Sequence, residues 1–436
     1  MRAGWIPHSE ECGAHGGLEK TDSTRLDFSA QPRQLFGAKV IKIADSFASR
    51  FEAARQRIHA AYLHQDTGQL PVVVMDVNYW LFGEEPALIP DDYFERDAAM
   101  FTFQIGKIRR HLERVQDDYV PLLFPWFGVG VVPSALGSRV AFEPKMDPAM
   151  AGFLLTEPRA IKRLSAPDPL KDGLMPRVLQ CIAYMRQQAD LPVSFTDCQG
   201  PLNIALSLCG VQNLFLWMHD HPLLVHELMD FCTEVLIGWV KVQKQHAGQR
   251  AGSDVFPLGV LLPGDFGGVW LSDDDCTVIS PRLYRQFVVP YNARVFKAFG
   301  GGALHFCGTA EHQLENFLQT EGLTAVHCCC LGNFRQVYRM QQAFAGRLAL
   351  MVCDYTPLEL EGYYAELLSR LQRKGTILVA YPASRVALHQ GKYQMVHRDA
   401  AALADETERV IRRQLGPTDN PSATRRLTRR GWTAAI

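Results

Sequence analysis

Eight short apolar runs recur along this chain, separated for the most part by stretches with helical spacing, and that alternation limits the folds open to it. The runs are 71–75 (PVVVM), 120–124 (VPLLF), 193–196 (VSFT), 255–262 (VFPLGVLL), 303–306 (ALHF), 323–327 (LTAVH), 348–352 (LALMV) and 377–380 (ILVA). Strands buried on both faces read as continuous apolar runs rather than alternating ones, and connections of helical length imply parallel neighbours. Eight such units predict an α/β fold closed into a (β/α)8 TIM barrel; an open doubly wound sheet is the alternative.

Ahead of the first run, Ile41, Ile43, Phe47, Phe51, Ala54 and Ile58 recur at helical spacing, which predicts an amphipathic helix. The organisation expected is an N-terminal extension and helix over 1–64, the barrel over 65–415, and a basic tail over 416–436 carrying Arg425, Arg426, Arg429 and Arg430. Stretches 147–187, 214–245, 281–299, 310–319, 335–344 and 357–373 read as helical, the third with Pro281 at its start, where a missing N–H costs nothing.

Charge narrows the partners. Forty-five basic residues against 46 acidic ones create no field that would gather nucleic acid or an anionic membrane. No run reaches 18 apolar residues and the first residues lack an apolar signal core, so a cytoplasmic protein acting on small molecules or protein partners is expected. Eleven cysteines, three of them consecutive at 328–330, fit a reducing compartment better than a disulfide framework.

In a barrel of this kind the chemistry lies where strands end and enter their following loops. Asp76, Asp197, Asp265, His305, Cys307, Cys329 and Cys353 all fall at such ends. His305 and Cys307 are two apart in a run that reads as a strand, so the imidazole and thiol face the same side, as two zinc ligands would. A third ligand is needed, and Cys328, Cys329, Cys330 and Cys353 are the candidates. Parity along 323–330 allows either Cys329 or the pair Cys328 and Cys330 to face inward. Asn78, Tyr79 and Trp80, just after the first run, are candidates for a substrate wall alongside Asp76 and Asp197.

Several segments together resemble the uroporphyrinogen decarboxylase superfamily, a group of barrels that includes corrinoid-dependent methyltransferases. They are 197–206 (DCQGPLNIAL), 272–274 (SDD), 279–291 (ISPRLYRQFVVPY), 303–308 (ALHFCG) and 322–326 (GLTAV), in the family's order, within a likeness covering roughly 65–400. Tetrapyrrole decarboxylases need arginines near the first strand to hold carboxylates; residues 58–95 here contain neither Arg nor Lys. The His-x-Cys element is instead similar to the zinc site of the methyltransferase branch. That likeness implies zinc on His305 and Cys307, with a methylated corrinoid brought by a separate protein. Family members usually take a further Cys from the last strand, where this chain has Ser384; relatives with a ligand one strand after His-x-Cys favour Cys329, and Cys353 remains open.

The resemblance implies transfer of a methyl group between a corrinoid and a thiol or similar acceptor. Asp265, and with it Asp76 and Asp197, would orient the imidazole or bind a polar substrate group. Two alternatives stand beside it. One is a metal-independent decarboxylase or lyase using Asp265 and His305 as acid–base groups; the other is a binding barrel without turnover.

Overall fold

The computed structural model describes residues 40–42, 47–77, 79, 81, 86–355, 359–382, 385–388, 392–395 and 399–416. The N-terminal residues before 40, Asn78, Trp80, Ser384 and the tail beyond 416 lie outside them. Six strands form one sheet: β1 (Val72–Val74), β2 (Val269–Ser272), β3 (Gly302–Cys307), β4 (Leu323–Cys329), β5 (Ala349–Tyr355) and β6 (Thr376–Tyr381). Their order is β1-β6-β5-β4-β3-β2 and every pairing is parallel.

Two further extended segments join the ends of that sheet. Residues 193–199 pair with 272 through a parallel bridge between Gln199 and Ser272, and Leu123 pairs in parallel with Val193. Asp118 then donates its N–H to Val72 O at 2.7 Å, and the carboxylates of Asp118 and Asp117 accept the N–H groups of Val72 and Val74 at 2.9 and 2.7 Å. Side-chain acceptors thus stand in for a backbone ladder between β1 and the second segment, and the ring of eight closes as the expected barrel.

One of the eight runs is displaced. Residues 255–262 do not form the fourth barrel strand: Val255 and Leu262 pair antiparallel with each other, and Leu258 bends the chain at φ +44°. The fourth strand is β2, seven residues further on. Its neighbour Gly302 in β3 leaves no room for a side chain, since a Cβ there would lie 2.4 Å from Val269 O.

Helix Ala48–Tyr62 packs on the barrel through buried Ala54, Ile58 and Tyr62, whose hydroxyl points at Leu261 O and Met351. It starts later than the periodicity from Ile41 suggested, and Ile41 instead bridges to Ala189. The 147–187 stretch is only partly helical, with a short antiparallel pair (Val140–Ala141 with Ala149–Met150), a 3-10 segment (Pro158–Arg163) and helix Met175–Gln188. The 281–299 helix is two, Pro281–Phe287 and Val289–Ala298.

Candidate active site

Register decides which side chains meet. On the parallel ladder His305 is opposite His327, Cys307 opposite Cys329, and Cys329 opposite Cys353. All five lie on one parity class of their strands, so they share a face. Cys328 falls on the other face, against Gln336 of helix Phe334–Phe344 at 3.4 Å, and Cys330 turns to Asp354 at 3.3 Å. The parity question raised by the three consecutive cysteines is thereby answered for Cys329.

At the C-terminal ends of β2 and β3, three donors converge. His305 Nε2 is 3.5 Å from Cys307 Sγ and 3.7 Å from Asp274 Oδ1, and Asp274 Oδ1 also accepts the Cys307 N–H at 2.7 Å. Asp274 Oδ, His305 Nε2 and Cys307 Sγ lie within 4.8 Å of one another. A tetrahedral cation about 2.0 Å from nitrogen and about 2.3 Å from sulfur would hold those two donors about 3.5 Å apart, which matches the His305–Cys307 spacing. Gly308 follows Cys307 at φ +104°, a left-handed conformation suited to glycine, and its N–H bonds Cys329 O at 2.9 Å.

Electrostatics favour a cation here. Contact with the Cys329 thiol, burial and the charge of Asp274 push the Cys307 thiol well above its ordinary pKa; only His305 opposes them. Burial disfavours a charge on His305, but Cys307 and Asp274 outweigh it and raise the imidazole. A buried thiol so placed stays protonated near neutral pH unless a cation compensates its charge. The donors therefore fit zinc: one imidazole, one thiol and one carboxylate, with the Cys329 thiol beside Cys307. Cys353 sits farther along, with Sγ 3.9 Å from His327 Nδ1.

Beside this cluster lies a polar wall. Asp197 accepts from Ser272 Oγ at 3.3 Å and from Gln199, and Asn203 donates to Gln199 Oε1 at 2.9 Å. Burial pushes Asp197 up to about 7, and the charge of Asp274 adds to it. Asp197 is thus gathered into the site.

Other expected residues are placed elsewhere. Asp265 precedes β2 instead of ending a strand, is more than half exposed, and pairs with His59 of helix Ala48–Tyr62 at 2.7 Å. That puts it at the opposite end of the barrel from His305, so it does not orient the imidazole and the acid–base pair of Asp265 with His305 is not formed. Asp76 turns toward helix Asp97–Arg114, where it bonds His111 Nδ1; His111 Nε2 faces Asp117 at 3.0 Å, and Arg50 reaches Asp117 at 2.8 Å. Asp76 is therefore tied into a buried ion network and not presented to substrate. Tyr79 is buried, bonding Tyr119 at 3.2 Å and stacking on Phe124, a core role.

Three residues escaped the sequence reading of the site. Asp274 stood in a quoted segment without a role, although three acids directly after an apolar run mark a strand end. His327 repeats the spacing of His305, since His327-x-Cys329 is a second His-x-Cys. Tyr381 ends β6 and approaches His327 Nε2 at 3.2 Å.

Comparisons with known proteins bear on this arrangement. The uroporphyrinogen decarboxylase (URO-D) family profile matches residues 120–328. A curated relative, the Methylated-thiol--coenzyme M methyltransferase of Methanosarcina mazei, is 25% identical over 200 residues, 45% of this chain and 49% of the relative. The match spans about half the length of that relative. A methyltransferase from Methanosarcina mazei of known structure superposes with a TM-score of 0.58 at 16% identity, covering 82% of this chain and 98% of the other; at that identity the likeness bears on the fold.

Proposed function

From a chain whose residues 120–328 match the URO-D family profile and which resembles a methyltransferase, we propose a zinc-dependent methyltransferase that moves a methyl group between a corrinoid and a thiol. The observation that carries this reading is the convergence of Asp274, His305 and Cys307 at the barrel mouth. These three would hold the metal, and Cys329 is the nearest further sulfur. Zinc bound there would act as a Lewis acid, keeping an acceptor thiol ionised at neutral pH.

The chain's own residues do the rest. Cys307 supplies a soft donor, which leaves an adjacent bound sulfur electron-rich. Asp274 anchors the Cys307 backbone as well as facing the cluster, so the thiol and carboxylate are placed together. Asp197, Gln199 and Asn203 form a hydrogen-bonded wall able to orient a polar substrate group. We assign the methylated corrinoid to a separate carrier protein, and coenzyme M, named for the curated relative, is the first acceptor to try.

Two measurements test the reading. Purified protein should retain about one zinc per chain through dialysis. It should also convert methylcobalamin to cob(I)alamin on addition of a thiol, followed by absorbance, and the Cys307→Ala variant should not. Protein that binds no zinc, or a Cys307→Ala variant as active as the parent, overturns it.

A further inference from the structure

Behind His305 lies a row of buried polar rings that no step above uses. His305 Nδ1 is 2.7 Å from His327 Nδ1, and His327 Nε2 is 3.2 Å from the Tyr381 hydroxyl. His327 is fully buried between the His305 ring, the Tyr381 hydroxyl and the Cys353 thiol. A neutral imidazole carries one proton on two nitrogens. A 2.7 Å contact between two ring nitrogens requires one proton between them, so with both rings neutral two arrangements are open. In one, His305 donates from Nδ1, His327 accepts at Nδ1 and donates from Nε2 to Tyr381. In the other, every donor and acceptor is reversed, and His305 Nε2 carries a proton toward Cys307 and Asp274.

Only the first leaves a lone pair on His305 Nε2, the atom that faces the cluster. We infer that His327, held by Tyr381, is a positioning residue that fixes His305 in the Nδ1–H tautomer and so aims a bare Nε2 at the metal position. The inference rests on the metal-site reading above. A metal-bound histidine ordinarily donates its second N–H to a carboxylate, carbonyl or water; here an imidazole from the next strand takes that part, delivered by the register that sets His305 opposite His327. In this arrangement the Tyr381 hydroxyl, at the end of β6, accepts the proton on His327 Nε2.

The test uses the full chain. His327→Leu removes the acceptor, whereas His327→Asn keeps an oxygen close to where Nδ1 stood. Zinc affinity, read by competition with a chelating indicator, should fall about 10–100-fold in His327→Leu and recover most of that loss in His327→Asn. Equal losses in both variants would reduce His327 to a packing residue and overturn the inference. Nitrogen-15 spectra at alkaline pH give a second readout that needs no metal: Nδ1 of His305 should carry the proton and Nδ1 of His327 should be bare. If His327 Nδ1 is protonated, the inference fails whatever zinc does. If the parent takes up no zinc yet His305 Nδ1 is protonated, the tautomer assignment stands and the functional reading falls.

Discussion

His111 offers the sharpest physical prediction, because it also separates a structural role for Asp76 from a substrate-binding one. Both ring nitrogens face carboxylates, Nδ1 toward Asp76 and Nε2 toward Asp117, so both must donate and the ring must be an imidazolium. Burial opposes that charge, but Asp117 and Asp76 overcome it and raise the pKa from 6.5 to about 9. At about 1.4 kcal/mol per pKa unit, the network contributes about 3 kcal/mol of stability. The folded pKa is raised, so the folded state holds more protons than the unfolded one between 6.5 and about 9. Stability from this group is therefore complete below 6.5 and is lost as pH rises through about 9. Asp76→Asn removes one of the two charges and should narrow that window, leaving zinc uptake intact. NMR titration of His111, with urea unfolding across the window, measures both effects. A His111 that titrates at or below 6.5 would refute the reasoning, and an Asp76→Asn variant that folds normally but loses methyl transfer would return Asp76 to the active site.

Asp274→Ala should abolish retained zinc, as Cys307→Ala should, whereas Cys328→Ala should keep it; with cobalt substituted, the thiolate bands should weaken for Cys307 and stay for Cys328. Asp265→Ala, breaking an exposed pair with His59, should change stability by no more than about 0.5 kcal/mol and leave zinc content unaltered; loss of the metal would show that Asp265 reaches the site after all. Gly302→Ala should destabilise by about 1–3 kcal/mol in denaturant unfolding, because a new Cβ would meet Val269 O at 2.4 Å and Phe296 at 2.7 Å; an unchanged midpoint would contradict the tight β2–β3 approach.

Much of the architecture was legible because burial on both faces forces strands to be apolar throughout. Seven of the eight runs lie where the barrel strands or extended segments lie. The 255–262 run misled for a physical reason: apolar residues also fill the closed end of a barrel, and a turn at Leu258 folds this run onto itself. The shorter β2, Trp270 included, carries the fourth position instead. With that shift Asp265 left the mouth and Asp274 entered it.

The pairing of His305 with Cys307 was written in their spacing, since residues two apart on a strand share a face whatever surrounds it. Which third donor joins them was not. That depended on register between strands about twenty residues apart in sequence, which sets His327 behind His305 and Cys329 beside Cys307. It depended equally on β2 ending beside β3, which brings Asp274 to both the backbone and the imidazole of the His-x-Cys element. Local periodicity assigns a face to each side chain, but only the assembled sheet sets the distances between faces on different strands, and a metal site is made of those distances.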